Sequence, residues 1–300
     1  MGAKTGENSD TKERTDRLRL LQLTELEILI EFDRICRKYK IGYTIIGGTL
    51  LGSVRHKGFV PWDDDADVAM LRADYEKFVK ACKVELDKER FYFQDQFRTR
   101  EYRWGYGKLR RRKTAFVRPN TEHLSYEQGV YIDVMPLDYV PDNKAGQVMC
   151  NVIAFLFRKA AWSEVGKRTD PNPVYRALYR LLDRIPLQRQ NTAYRKFIRR
   201  LNRKPTKYLR CLAVPIVRSE GDKGYWRYKT QWMYPLKEYE FEGYSFLGMK
   251  DSRLALKRMY GNYMKPVKFP PVSVSSCILP PLEEIQVDER LKEINRKEKC

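Results

Sequence analysis

The sequence predicts an α+β fold, a small mixed sheet flanked by helices with a basic helical insertion, and three observations lead there. Over the first 140 residues, segments of helical apolar period alternate with short β-branched runs. From Gln147 to about Leu212 the pattern turns helical and strongly basic. KEYEFEGYSFLG then brings back the alternation and glycine turn of a hairpin. With 300 residues and 42% hydrophobic content, the chain can bury a real core.

Residues 1–16 are polar and charged and are expected to be disordered. Leu18, Leu21, Ile28, Phe32, Ile35 and Tyr39 recur at helical spacing, interrupted on that face by Glu25, so a first helix covers about 18–39. Tyr43 to Ile46 meets Gly47-Gly48-Thr49 at once, the pattern of a strand turning into a helix. Asp65 to Met70 alternates acidic and apolar residues, giving a second strand with two unlike faces. A helix over 72–82 and strands over 91–97, 104–111 and 130–135 complete a core spanning 17–143. The basic helical region, 144–230, is punctuated by Pro171, Pro173, Pro186 and Pro205. Residues 231–300 supply the hairpin and a last helix, about Ser252 to Tyr260, capped by Asp251 or Ser252 and stopped by Gly261, packing back on the core.

The formal net charge is +20, of which residues 1–140 carry +3 and residues 141–300 carry +17. Within 158–218 there are 17 basic and 3 acidic side chains. Such an excess favours an anionic partner: nucleic acid, an acidic membrane face or a phosphorylated substrate. Cys36, Cys82, Cys150, Cys211, Cys277 and Cys300 are scattered without a CxxC pair, which speaks for reduced thiols rather than a zinc site or a disulfide framework. The opening residues lack the apolar stretch of a signal peptide, and Gly6 stands where a myristoylation motif wants Ser or Thr. The longest apolar run, Val152 to Phe157, is far below the ~20 residues of a membrane span.

The chemistry concentrates in residues 45–70, IIGGTLLGSVRHKGFVPWDDDADVAM. Gly47, Gly48 and Thr49 end a strand and open a helix, where backbone N–H groups can approach an anion. Asp63, Asp64, Asp65 and Asp67 crowd into five positions, and strand alternation sends Asp65 and Asp67 to one face, spaced for one or two divalent cations. Asp133 interrupts the apolar strand Val130–Val134, where a charge is costly unless it binds metal or pairs with a base such as Arg110 or Arg111. Asp138 reads as a turn residue. Arg55, His56 and Lys57 lie between glycines and acids and are candidates for holding a diphosphate. Lys108, on a strand expected to neighbour that of Asp133, is a further candidate; it shares a strand face with Arg110, and Arg111 lies opposite. Trp62, beside the acids, is placed to stack on a base, whereas His123 reads as structural.

GGTLLGSVRHKGFVPWDDDADVAM, with ILIEFDRICRKYKIGY before it and RADYEKF after it, resembles the LicD family. That family is named for bacterial enzymes that transfer phosphocholine to glycans and is similar in motif to the fukutin-related proteins. GKLRRRKTAF, YIDVMPLD, FEGYSFLG and LKRMYGNYM extend the likeness over about 18–140 and 235–265, and the middle segment departs from it chiefly in basic charge. The resemblance implies a nucleotidyltransferase-like fold. Gly47, Gly48 and Thr49 would hold the phosphate chain, and Asp65, Asp67 and Asp133 would hold Mg2+ or Mn2+ with Asp63 in support. It further implies a phosphotransferase that moves a phospho-alcohol group from a CDP-alcohol to a sugar hydroxyl of a cell-surface glycan, lipopolysaccharide or teichoic acid, releasing CMP. Asp133 would act as metal ligand, as base toward the acceptor hydroxyl, or as both.

A polyprenyl-linked acceptor at the cytoplasmic membrane face would give the basic segment a purpose, so the expectation is a cytoplasmic protein peripheral on an anionic membrane, with no specific nucleic acid partner. A nucleotidyltransferase releasing pyrophosphate is an alternative. So is a basic nucleic-acid-binding module with an inactive site, against which the intact Asp65, Asp67 and Asp133 count. The sequence does not name the alcohol or the acceptor sugar.

Overall fold

The computed structural model describes residues 3–215, 227–266, 274 and 277–297. The elements are, in order, α1 (Ala3–Lys38), β1 (Thr44–Ile45), α2 (Gly47–His56), β2 (Asp67–Leu71), α3 (Arg72–Glu85), β3 (Phe91–Gln94), β4 (Gly107–Arg111) and β5 (Tyr131–Val140). There follow α4 (Lys144–Thr169), α5 (Pro173–Asp183), α6 (Leu187–Leu201), β6 (Tyr208–Arg210) and β7 (Tyr228–Lys229). The chain continues with β8 (Lys237–Phe241), β9 (Tyr244–Gly248), α7 (Ser252–Tyr260) and α8 (Glu289–Lys297).

The main sheet runs β3-β4-β5-β2-β1-β9-β8, and β6 and β7 extend it from β5. Pairings of β2 with β5 and of β1 with β9 are parallel and the others antiparallel, so the mixed sheet of the expected α+β, nucleotidyltransferase-like class is present. Helix α1 begins at Ala3, so residues 3–16, expected to be disordered, are helical; no proline stands in that stretch to stop the helix. Its Leu21, Ile28, Phe32 and Ile35 are fully buried in the main core, and Glu25 is buried with them. A smaller cluster of Val140, Cys150, Ala154, Tyr194, Ile198 and Leu212 joins the basic helices to the end of β5.

After Pro205, residues 208–210, expected to continue the helical pattern, return to the sheet as β6. Asp251 is the N-cap residue of α7, without a side-chain cap bond, and Gly261 ends that helix. Cys36, Cys82, Cys150, Cys211 and Cys277 are buried and free. No helix among the described residues is long and apolar enough to cross a membrane.

Strand β5 runs to Val140, past the expected end at 135, and Asp138 lies inside it rather than in a turn. A fully buried carboxylate survives there because it is paired. Arg72 donates Nε and Nη2 to its two oxygens at 2.8 and 2.7 Å, and Asn202 adds a third bond at 2.7 Å. This bidentate pair ties α3 and α6 to the central strand. Removing one partner strands a buried charge, so Asp138→Asn or Arg72→Met should lose about 3–5 kcal/mol in urea unfolding, whereas the double variant Arg72→Met/Asp138→Leu should regain most of it. Equal loss in the double variant would contradict this account.

Candidate active site

Parallel pairing of β2 with β5 sets Asp67 opposite Asp133, and antiparallel pairing of β5 with β4 sets Asp133 opposite Lys108. Three side chains from three adjacent strands therefore form one transverse row, with neighbouring Cβ atoms about 5 Å apart. Lys108 donates to Asp133, and its amine lies 3.2 Å from the centroid of the Tyr131 ring. Burial pushes the Lys108 pKa down to about 8 against the opposing pull of Asp133. The expected alternation is present: Arg110 joins Lys108 over Tyr131, while Arg111 turns to Glu27 of α1. Asp133 is thus paired with Lys108 rather than with Arg110 or Arg111.

Helix α2 meets this row at its first turn. Gly47 has φ +59°, and a Cβ there would stand 2.8 Å from Asp67 Oδ2; a Cβ on Gly48 would collide with Asp63 Oδ2. The two glycines thereby let carboxylates lie against the helix N-terminus, where unpaired N–H groups and the helix dipole favour anions. Thr49 is buried, and its hydroxyl accepts the Asp67 N–H at 2.8 Å, pinning the start of β2 to α2.

Carboxylate oxygens of Asp63, Asp64 and Asp65 all lie within 4.8 Å of one another, the group of this kind among the described residues. Of the expected metal set Asp65, Asp67 and Asp133, only Asp65 belongs to that group; Asp67 and Asp133 lie near enough to feel its charge, and Asp133 is held by Lys108. Desolvation and then mutual repulsion raise Asp63 to about 7 and Asp65 to about 6, and Asp67 is raised well above its ordinary value by the same causes. Hard oxygen donors that repel one another in a desolvated pocket fit Mg2+ or Mn2+.

Two participants escaped the sequence reading. Arg118, in the loop after β4, pairs with Asp64 at 2.7 Å, reaches Asp65 at 3.7 Å and donates to the Tyr131 hydroxyl at 2.7 Å. Glu25, noticed only as a break in an apolar face, is fully buried with both oxygens unpartnered, and its pKa is raised well above normal by desolvation and then by Asp65, Asp64 and Asp63.

Arg55 and His56 end α2 and Lys57 is its C-cap, about 12–15 Å along the helix axis from Gly47. Arg55 donates to His56 Nε2 and to the Tyr263 carbonyl, both at 2.8 Å, while Lys57 lies 3.7 Å from Glu240. Desolvation and Arg55 lower the His56 pKa. Trp62 packs half-buried against the main core. On its other side Asp133 lines a cavity of about 610 Å³ between the sheet and the basic helices, shared with Trp104, Tyr106, Trp162 and Tyr194.

The raised carboxylates carry a consequence for stability. Between the unfolded carboxylate range and pH 7 the native state binds the extra proton, so stability falls as pH rises through that window. In EDTA at pH 8, Asp63→Asn should therefore melt about 2–4 °C above the parent, with the gap closing toward pH 4. An unchanged or lower melting temperature at pH 8 would contradict mutual repulsion at the site.

Comparison with known proteins identifies the family. The family described as LicD/FKTN/FKRP, nucleotidyltransferase domain, matches residues 40–151, which hold Gly47 through Asp133. The lipopolysaccharide cholinephosphotransferase LicD of Haemophilus influenzae is 30% identical over 259 residues, covering 83% of this chain and 91% of that protein. Uncharacterized proteins of Rickettsia prowazekii and Rickettsia typhi are 38% identical over 52 residues, 17% of this chain and 20% and 17% of theirs. The sequence motifs, the mixed sheet, the acidic row at its centre and this near full-length relative together establish that the chain belongs to the LicD family of phosphotransferase enzymes.

Proposed function

We propose that this enzyme transfers phosphocholine from CDP-choline to a sugar hydroxyl of a lipopolysaccharide glycan and releases CMP. The observation that carries the reading is the row of Lys108, Asp133 and Asp67, with Asp65 beside it, whose Asp133 lines a cavity large enough for a sugar. The name of the Haemophilus relative supports choline and lipopolysaccharide as the substrates.

In this reading the acceptor hydroxyl enters through the cavity and meets Asp133, the acid of the row that faces it. Asp133 takes the hydroxyl proton as the oxygen attacks the β-phosphorus, and the bond from that phosphorus to the oxygen of CMP breaks. Lys108 orients Asp133 and offers its ammonium to the phosphoryl oxygens. Arg118 holds the Asp64–Asp65 side of the cluster, and the first turn of α2 supports the acids of its other side. Asp65 and Asp67, with Asp63 in support, would hold a Mg2+ or Mn2+ ion that neutralises the diphosphate and the departing CMP.

Incubation with a panel of CDP-alcohols and a lipopolysaccharide acceptor tests the reading directly. CMP release is expected with CDP-choline, falling at least ~10²-fold in Asp65→Asn and in Asp67→Asn while the fold persists. Pyrophosphate release from CTP with no reaction of any CDP-alcohol would overturn it in favour of nucleotidyl transfer.

A further inference from the structure

Helices α4 and α5 present an apolar face to water. On α4, Met149, Val152 and Leu156 are exposed, and on α5, Val174, Leu178 and Leu181 are 73%, 45% and 59% exposed. Spacings of three and four residues align each set in one stripe. Lys159 bridges the two helices, its amine 5.5 Å from the Phe155 ring of α4 and 6.0 Å from the Tyr175 ring of α5, two further exposed apolar side chains. Holding the helices together is a different task, done by Tyr179 of α5, which fills the space beside Gly166. Exposed apolar stripes on two packed helices mark a place of contact.

Charge identifies what it contacts. The three acids of residues 158–218 are already engaged: Glu164 and Asp183 by Lys167, and Asp170 by the Asn172 N–H. Exposed Arg180 and Arg184, in and just after α5, flank its stripe in sequence, and exposed Lys196 and Arg199 of α6 add to the surplus positive charge of the region. A second copy of the chain would bring the same charge and be repelled, whereas an anionic lipid surface matches both the apolar stripes and the basic rim. Phe155 and Trp162, exposed on α4, also line the cavity that reaches Asp133, so the cavity opens beside this face.

We propose that the exposed face of α4 and α5 docks on an anionic bilayer, and that the adjoining cavity receives from it the glycan of a membrane-anchored acceptor. The second half rests on the phosphocholine-transfer reading; the docking does not. The test is co-sedimentation of the full chain with phosphatidylglycerol and phosphatidylcholine vesicles, beside the variant Val174→Glu/Leu178→Glu/Leu181→Glu. The parent should bind phosphatidylglycerol vesicles at low salt and bind phosphatidylcholine poorly. The variant should lose at least about tenfold in partitioning, with CMP release toward a soluble glycan unchanged and release toward a vesicle-borne acceptor reduced. A second variant, Arg180→Gln/Arg184→Gln, keeps the stripes and should also lose about tenfold on phosphatidylglycerol. Equal partitioning of parent and variants would overturn the docking, as would a parent dimer that the glutamates convert to monomer. Because sedimentation needs no turnover, binding without any reaction of CDP-choline would remove the phosphocholine reading and leave the docking standing.

Discussion

The carboxylates of Asp63, Asp65, Asp67 and Asp133 crowd together half-buried and repel one another, and much of the surrounding fold serves to hold them there. Parallel pairing of β2 with β5 fixes Asp67 beside Asp133. Glycines at the start of α2 leave room for Asp63 and Asp67. Lys108 and Arg118 compensate the charge from two sides without removing it, since Asp67 and the buried Glu25 accept nothing from either. Stability is thereby traded for a site poised to gain when positive charge arrives, as strained arrangements at active sites often do.

Some of this arrangement was legible in the sequence for local reasons. An acid inside Val130–Val134 had to have a partner, and it has one. The strand expected from Asp65 begins only at Asp67, so Asp65 stands just ahead of β2, though close enough to feel the charge of Asp67. That the strand of Lys108 neighbours that of Asp133 was legible too, and β4 does pair with β5; the register that makes Lys108 rather than Arg110 or Arg111 the partner was not, because register is a non-local property. Arg118 reaches the cluster from an irregular loop that carries no periodic signal. Arg55, His56 and Lys57, near the acids along the chain, fall at the opposite end of the ten-residue α2 from Gly47 and Gly48. Asp138 misled, its turn-like sequence context concealing a buried pair with Arg72.

The basic helices add to the core rather than standing apart from it. Val140 and Leu212 join Tyr194 and Ile198 of α6 in one apolar cluster, and Trp104, ahead of β4, lies 5.6 Å from Trp162 of α4. Between these two contacts the cavity forms, walled by the sheet on one side and by the helices on the other. For the proposed transfer from a nucleotide donor to a sugar, such a division would be an advantage. The rigid sheet positions the charged groups, and the helices shape the entrance.

Titrating the metal-free chain with Mn2+ while counting free ion by electron paramagnetic resonance tests the central claim most directly. The account predicts saturable binding that weakens as pH falls below about 6, where protons compete for the carboxylates, and that is lost in Asp65→Asn and Asp67→Asn. No saturable binding, or binding unchanged in both variants, would contradict it.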